Sequence, residues 1–312
     1  MELCTTEMRA VYEARSVFRW PDHAGSLVRG LVGRALRRHG CARSSAAADV
    51  PGSPANVPGP CEHACEAPRA CTYATLFDPP PCDPPPHRLL ASAERPPAPV
   101  VLRIPAPGAR ALAPGDRVEI GVRILGTRSS EEIAAVSAVL ESMAEIPVGT
   151  DGGAWTLHEI RQAGARNRPI AIAPSGTAVS MLRIEFETPA WIETKGRVAA
   201  DLAFTTLFRA VARRITVACA LYGSLAADHD RAFTELDAIA ARARVVDRRL
   251  RVLSWERLSV ERDERHPMRG LVGSLDVEGE LGPLVPWLRW GEIVHVGKAT
   301  SYGLGRMRVE VG

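Results

Sequence analysis

The stretch WLRWGEIVHVGKATSYGLGRMRV, residues 287–309, contains a glycine-rich loop close to the C-terminus. Gly297, Gly303 and Gly305 permit positive φ angles and a close approach of the backbone to another group. The order G-K-A does not fit a Walker loop, and no helical pattern follows, as a dinucleotide fingerprint requires. RMRVEV alternates as a strand does. The pattern therefore predicts a loop between two strands, EIVHV and RMRVEV.

Cationic and hydroxyl side chains surround these glycines. Lys298 and Arg306 supply positive charge, and Thr300 and Ser301 supply hydroxyl donors. Backbone amides in such loops bind phosphate, and an extended loop suits a polynucleotide better than a nucleotide. A glycine-rich hairpin that binds nothing explains the same glycines. His295 precedes the loop. On a strand its side chain points away from its two valine neighbours, toward RNA or into a packed structural position.

The chain that leads into this loop has a regular order of elements. The strand pattern MLRIEFETPAWI is followed by a helical pattern over residues 202–222 and a second helical stretch at residues 227–244. RRLRVLSWERLSVER and MRGLVGSLDVEGEL predict a hairpin, and PLVPWLRWG predicts a helical turn before EIVHV. Strand, helix, two strands, helix and strand form a ferredoxin-like unit.

The first half of the chain repeats this order. MRAVYEARSVFRW predicts a strand, and a helix follows over residues 23–39. APVVLRIPA and RVEIGVRILG predict two more strands, Ser129 marks the start of a second helix, and WTLHEIRQAG and RPIAIA predict closing strands. The sequence therefore predicts an α+β fold of two tandem ferredoxin-like (RRM-like) domains, at residues 1–175 and 176–312.

The predicted helix at residues 23–39 is amphipathic, and Asp22 can cap its start. Gly30 and Gly33 each weaken the helix by about 1 kcal/mol relative to alanine, so we expect close packing against another backbone there. The apolar stripe comprises Leu27, Val28, Leu31, Val32, Ala35 and Leu36, and the opposite side carries Arg29, Arg34 and Arg37, with Arg38 beside them.

Residues 41–99 differ in composition from the rest of the first domain. They contain most of the prolines and five of the 7 cysteines, so we predict a loop-rich insertion. In a chain without a secretion signal, clustered cysteines are more often metal ligands than disulfides. Cysteines that stay reduced and unliganded are the alternative. The thiolates for a structural Zn²⁺ are Cys41, Cys61, Cys65 and Cys71, for which His63 or Cys82 can substitute.

Composition limits the functional classes without choosing one. The net charge is +3, and only Lys195 and Lys298 among the 39 basic residues are lysines. A GC-rich genome explains that arginine bias, although arginine also makes bidentate phosphate contacts. No apolar run reaches the about 18 residues of a membrane helix. The N-terminus MELCTTEMRAVYEARSVFRW lacks the apolar stretch of a secretory signal, so we expect a cytoplasmic protein.

Four stretches together resemble a known family. WLRWGEIVHVGKATSYGLGRMRV is similar to the C-terminal glycine-rich motif of the CRISPR-associated endoribonucleases of the RAMP superfamily, which process precursor CRISPR RNA. HAGSLVRGLVGRALRRHGC resembles the family's first helix. PCEHACEAPRACTYATLFDP resembles a cysteine-rich segment of one branch, and SWERLSVERDERHPMRGLVGSLDVEGEL resembles the hairpin before the loop. The resemblance covers nearly the whole chain and implies two ferredoxin-like domains that bind RNA.

The resemblance also implies metal-independent cleavage of precursor CRISPR RNA, with no catalytic cofactor and with the 2′-hydroxyl as nucleophile. Histidine suits the acid and base roles because its ordinary pKa is about 6.5. The family often places this histidine on or just after the first helix, where His23 and His39 qualify. Either can instead be a surface histidine at a helix end. We expect RNA contacts from Arg29, Arg34, Arg37, Arg38, His295, Gly297, Lys298, Thr300, Ser301, Gly303, Gly305 and Arg306.

Three functions fit these features. The first is an endoribonuclease that cuts precursor CRISPR RNA within repeats and yields mature guide RNAs. The second is a non-catalytic RAMP subunit that holds CRISPR RNA in an effector complex, with the same fold and no turnover. The third is an unrelated ferredoxin-like module for a small molecule or a metal. Such a module lacks the salt-sensitive RNA affinity that phosphate contacts produce.

Overall fold

Two four-stranded antiparallel sheets form the framework of the protein. The computed structural model describes residues 1–40, 71–127, 129–169, 178–259 and 264–312. The first sheet is built from strands up to residue 169 and the second from strands that begin at residue 181. None of the helices in these described ranges combines the length and apolar character of a membrane span.

The first domain has helices on one face of its sheet. Its elements are β1 (Glu2–Ala14), β2 (Phe18–Trp20), α1 (Gly25–Gly40), α2 (Thr72–Phe77), β3 (Val100–Arg103), β4 (Arg110–Leu112), β5 (Arg117–Leu125), α3 (Ser130–Ser142) and β6 (Trp155–Pro169). The sheet order is β3-β5-β1-β6, and β2 and β4 form a separate two-stranded ribbon. Taken as first to fourth main strands, the order is second, third, first, fourth, which is the ferredoxin-like topology.

The second domain repeats this arrangement. Its elements are β7 (Met181–Ala190), α4 (Phe204–Tyr222), α5 (His229–Arg242), β8 (Arg244–Ser259), β9 (Glu264–Glu278), α6 (Val285–Val294) and β10 (Met307–Val311). The sheet order β10-β7-β9-β8 is again fourth, first, third, second. The predicted fold class of two tandem ferredoxin-like units is confirmed, and β8 and β9 form the predicted hairpin.

The element before the glycine-rich loop differs from its prediction. The residues EIV, expected in a strand, complete helix α6, and the glycine-rich loop therefore connects a helix to strand β10. Buried Trp287, Gly291 and Val294 recur at helical spacing. A Cβ on Gly291 would lie 2.5 Å from the methyl carbon of Met307 and 3.2 Å from a methyl carbon of Val211, so α6 packs closely on β10 and α4 at this position.

The apolar stripe of helix α1 is buried as predicted, but Gly30 and Gly33 do not pack against another backbone. Val28, Leu31 and Leu36 are buried in the first core. A Cβ on Gly30 would have no atom within 4 Å, and one on Gly33 would face the ring of Phe77 rather than a backbone. The expectation of close backbone packing at these two positions is therefore wrong. The close backbone contact of α1 occurs instead at its first residue, Gly25.

A buried ionic cluster joins the two domains. The guanidinium of Arg123 on β5 donates to the carbonyl oxygen of Ile293 on α6 at 2.5 Å and forms an ion pair with Glu7 on β1. Arg9 also donates to the Glu7 carboxylate, at 2.7 Å. Burial alone raises the pKa of the Glu7 carboxyl, but Arg123 and Arg9 hold it below its ordinary value. The cluster fixes α6, and with it the start of the glycine-rich loop, against the first sheet.

Helix α3 begins where its sequence predicts, and a capping box closes its start. The hydroxyl of Ser129 accepts a hydrogen bond from the amide of Glu132 at 3.1 Å, and the Glu132 carboxylate accepts from the amide of Ser129 at 3.0 Å. Two amides that the helix leaves unpaired at its start are thereby satisfied.

We expect Ser129→Ala to lower the free energy of unfolding by about 1 kcal/mol, because it removes this cap. Urea-induced unfolding followed by circular dichroism measures the change. Ser130→Ala, at the first helical position, is the control and should differ from the wild type by less than about 0.5 kcal/mol. Equal stabilities for the two variants would contradict the capping role.

Candidate nucleic-acid interface

The glycines of the loop are required by contacts with protein backbone. Gly297, Gly303 and Gly305 have φ angles of 82°, 74° and 73°. A Cβ on Gly305 would lie 1.8 Å from the carbonyl oxygen of Val296, and one on Gly297 would lie 2.4 Å from that of Trp191. These glycines therefore let the loop pack tightly on its own domain. The prediction that they give RNA access to bare backbone is not what their surroundings favour.

Hydrogen bonds tie the loop to the end of β7 and to Trp191, the residue that follows it. The amide of Gly305 donates to the carbonyl of Pro189 at 2.9 Å, and the amide of Lys298 donates to that of Trp191 at 3.0 Å. The hydroxyl of Thr188 donates to the carbonyl of Gly303 at 2.8 Å. These bonds occupy several of the loop's polar backbone groups and hold its shape.

His295 is a packed residue of this loop. It ends α6 with a φ angle of 58°, and 1% of it is exposed. Its Nδ1 lies 3.1 Å from the carbonyl oxygen of Leu304. Burial, together with Arg123 and Arg306, lowers the pKa of His295 well below its ordinary value, so the ring is neutral at neutral pH. Its position on a strand was predicted wrongly, and the structural alternative fits where the imidazole lies.

The two cations of the loop have protein partners. Arg306 forms an ion pair with Glu187 at 2.6 Å and donates to the carbonyl of Ile104 in the first domain at 2.9 Å. Its side chain thus bridges the domains. Lys298 lies 2.7 Å from the Glu193 carboxylate, but 62% of its side chain is exposed. Of these two predicted RNA contacts, Lys298 is the one that solvent, and hence RNA, can reach.

A buried arginine supports the middle of the loop. Arg214 of α4 donates to the hydroxyl of Thr300 at 2.9 Å and to the carbonyl of Val294 at 3.3 Å. Sequence reasoning missed this residue. Its position in the sequence was a signal: Arg214 follows Leu207 by seven residues and Val211 by three, so it lies on the same stripe of α4 as these apolar residues.

Tyr302 lies between arginines of both domains. The guanidinium of Arg29 on α1 stands 4.7 Å from its ring centre, and that of Arg257 on β8 stands 5.1 Å away. Arg257 also donates to the Tyr302 hydroxyl at 2.5 Å. The carbonyl oxygen of Tyr302 lies where a Cβ on Gly25 would be only 1.9 Å from it. The start of α1 therefore touches the loop directly.

His23 lies beside this contact. Its ring stacks on Trp255 of β8 with centres 3.9 Å apart, and 8% of its side chain is exposed. Trp255 and Arg257 are two residues apart on one strand, so their side chains share a face about 7 Å apart. Burial lowers the pKa of His23, and Asp22, 3.6 Å away, opposes that shift only in part. His23 is therefore a neutral imidazole at neutral pH.

The other candidate histidine is far from the loop. His39 is exposed near the end of α1, which spans 16 residues, or about 24 Å. Arg37 is 6% exposed and its guanidinium lies 4.7 Å from the ring of Tyr73, so it is not on an open face as predicted. Arg34 and Arg38 are exposed. Of the two histidines, His23 is the one close to Gly25, the residue that touches the glycine-rich loop, and it stacks on the strand that carries Arg257.

A cleft of about 920 Å³ lies beside the glycine-rich loop, and neither Tyr302 nor His23 lines it. Residues 297–301 form part of its wall, together with α4, the segment around Trp191 and residues 89–98 of the first domain. Lys195, Arg209 and Arg213 add positive charge to this cleft. None of these three residues was selected from the sequence, because only the folded chain brings Lys195 together with Arg209 and Arg213 of α4.

The described residues contain one group with metal-ligand chemistry. The ligand atoms of His87, His229 and Asp230 lie within 4.8 Å of one another. The Nδ1 of His87 already accepts from the amide of Leu89 at 3.1 Å, and Asp230 pairs with Arg88 at 3.2 Å. These bonds compete with a metal ion. Of the predicted zinc ligands, Cys71 is buried at the start of α2, whereas Cys41, Cys61 and Cys65 lie outside the described residues.

Two family models match successive parts of the chain. AF_1859_N, described as an N-terminal domain, matches residues 3–181. The model described as CRISPR-associated endoribonuclease Cas6 matches residues 184–307, which contain the glycine-rich loop. The second domain of the chain, over residues 184–307, belongs to the Cas6 family. The predicted family of CRISPR RNA-processing endoribonucleases is thereby confirmed. No curated protein matches the chain.

Solved Cas6 structures share the fold. The Cas6 (TTHB231) product complex has a TM-score of 0.56 at 13% identity, with 99% of this chain and 100% of that chain covered. Thermus thermophilus Cas6 (TTHB231) gives 0.55 at 11% identity, with 99% of each chain covered. The Cas6 (TTHA0078) product complex gives 0.53 at 16% identity, with 98% and 99% covered. At these identities the likeness supports the fold alone.

The loop glycines of this Cas6-family protein yield a prediction on stability. Gly305→Ala should lower the free energy of unfolding by about 3 kcal/mol or more, because the new methyl group meets a fixed carbonyl at a positive φ angle. Gly30→Ala is the matched control. Its Cβ meets nothing within 4 Å, so it should raise stability by about 0.5–1 kcal/mol. Urea unfolding measures both, and a stable Gly305→Ala protein would contradict the packing role.

Proposed function

We propose that this Cas6-family protein cuts precursor CRISPR RNA within its repeats without a metal ion, by attack of a 2′-hydroxyl on the adjacent phosphate. One observation carries the proposal: Tyr302 of the loop accepts a hydrogen bond from Arg257 of β8, and the neutral imidazole of His23, from the other domain, stacks on Trp255 two residues away on the same strand. His23 lies two residues before α1, whose first residue, Gly25, touches the carbonyl of Tyr302. The product complexes among the similar Cas6 structures support RNA as the ligand.

His23 is the base in this proposal. A base must be unprotonated to accept the 2′-hydroxyl proton, and the burial that lowers the pKa of His23 keeps it so at neutral pH. Stacking on Trp255 fixes the ring plane. Positioning of this kind reduces the reorganisation that the reaction requires.

Arg257 and Tyr302 act on the phosphate and the leaving group. Arg257 stabilises the negative charge that develops on the phosphate oxygens. Because Arg257 donates to the Tyr302 oxygen, the phenol keeps its own proton free to donate. Tyr302 is therefore placed to protonate the departing 5′-oxygen.

The bonds balance without another reactant. The 2′-oxygen forms a bond to phosphorus as His23 takes its proton, and the bond from phosphorus to the 5′-oxygen breaks as that oxygen gains a proton. The products are a 2′,3′-cyclic phosphate and a 5′-hydroxyl. Incubation of repeat RNA in excess EDTA should leave cleavage intact, and mass spectrometry of the upstream fragment should find the cyclic phosphate.

A non-catalytic RAMP subunit is the second candidate, and one observation favours it. Only 8% of the His23 side chain is exposed, which restricts access to a 2′-hydroxyl. This subunit would bind the same RNA and leave it intact in EDTA and in Mg²⁺ alike. Turnover of repeat RNA by the wild type therefore decides between the two candidates.

Substitution of the two histidines tests the placement of the site. His23→Ala should reduce the cleavage rate at least about 100-fold, the usual contribution of a general base, while RNA affinity changes little. His39→Ala is the matched control on the same helix and should cleave within twofold of wild type. Single-turnover cleavage and filter binding measure the two quantities. Loss of cleavage in His39→Ala alone would move the site to the other end of α1.

The pH dependence of cleavage tests the role of His23 as base. The rate should rise with pH as His23 loses its proton and level off below the pH expected for a free imidazole, because burial lowers this pKa. Trp255→Ala exposes the ring and should move the inflection to higher pH. Asp22→Asn removes the carboxylate that raises the pKa and should move it to lower pH. Inflections that do not move in either variant would exclude His23.

A further inference from the structure

The cleft beside the glycine-rich loop contains more cations than acidic partners. Lys298 pairs with Glu193, and Arg209 pairs with Asp237 at 2.7 Å. Among the residues that the structure describes, no carboxylate pairs with Arg213 or Arg214. The Nη2 of Arg213 donates to the carbonyl of Leu89 at 3.0 Å, and Arg213 is one of the residues that line the cleft.

The environment of Arg214 favours a bound anion. It is 8% exposed, and its described partners are a hydroxyl and a carbonyl, both uncharged. A buried cation without a counter-charge loses several kcal/mol of hydration that neutral partners replace only in part. Burial lowers its pKa to about 10, so it stays charged at neutral pH. Since Arg214 also lines the cleft, an anion bound there would supply the missing counter-charge.

The walls of the cleft suit an unpaired base. Apolar side chains of Leu89, Ile192 and Val217 line it, and so does the half-buried indole of Trp191. The indole nitrogen of Trp191 donates to Glu193 at 2.7 Å, which fixes the ring. Aromatic rings within cationic clefts bind single strands, because every base can stack on them and the phosphates meet the cations.

We propose that this cleft binds unpaired nucleotides of RNA, with a phosphate at Arg213 and Arg214 and a base against Trp191. The inference rests on the proposed function for its ligand and adds a second place where RNA is held. Residues 297–301 line the cleft, whereas His23 contacts Trp255 outside it. The glycine-rich loop therefore separates the cleft from the site of cleavage.

Binding of an uncleavable RNA tests the proposal. The probe is a fluorescent single-stranded repeat RNA with a 2′-deoxy residue at the cut position, followed by anisotropy over a range of salt concentrations. Trp191→Ala and Arg213→Ala should each weaken binding at least fivefold. Arg213→Ala should also reduce the slope of log affinity against log salt by about one. Arg231→Ala removes an exposed arginine of α5 outside the cleft and should bind within twofold of wild type.

Further arms separate the possible failures. Thermal unfolding confirms that each variant is folded. Arg213 is exposed and Trp191 is half-buried, so their substitution avoids the risk that Arg214→Met does not fold. Free inorganic phosphate at millimolar concentration should not displace the RNA, since it lacks a base for Trp191. If Trp191→Ala and Arg213→Ala both bind the RNA within twofold of wild type, the proposal that the cleft binds RNA is wrong. If the wild type binds this RNA but does not cut the natural repeat, the proposed nuclease activity is wrong, whereas the proposed RNA binding in the cleft is retained.

Discussion

The structure depends on one tight backbone contact, between the start of α1 and the glycine-rich loop. Gly25 faces the carbonyl of Tyr302 across a gap that no side chain can enter. The loop itself is held by hydrogen bonds to Pro189 and Trp191. Through these contacts the first helix of one domain and the last turn of the other share one fixed position, and the groups proposed for chemistry lie around it.

Buried charge maintains this arrangement. Arg123 pairs with Glu7 and donates to the Ile293 carbonyl of α6. Arg306 donates to the Ile104 carbonyl of the first domain, and Arg214 donates to the Thr300 hydroxyl of the loop. Breaking one partner of such a buried set leaves an uncompensated charge, which is strongly destabilising. The domains therefore do not move independently near the loop. A cleavage site shared between domains requires that rigidity, because general base catalysis depends on positions fixed within a fraction of an ångström.

Sequence periodicity was enough for the fold but not for the site. The stripe of α1, the start of α3 at Ser129 and the β8–β9 hairpin are local patterns, and each was predicted from neighbouring residues. The end of α6 was misread because three residues, EIV, are compatible with both strand and helix, and tertiary packing of Gly291 decides between them. Trp255, Arg257 and Arg214 were missed because their roles arise from contacts between segments far apart in the chain. The loop glycines stand out in the sequence, but only the folded chain shows that the group approaching them is protein backbone.

The placement of His23 against Trp255 has a consequence for how such proteins change over time. The imidazole comes from near the first residue of the chain, and its aromatic support comes from a hairpin near the last. A substitution on either side alters the environment of the other, so the two halves must diverge together. Exchange of whole domains between distant relatives would then yield folded hybrids in which the residues at positions 23 and 255 no longer fit each other where the two domains meet.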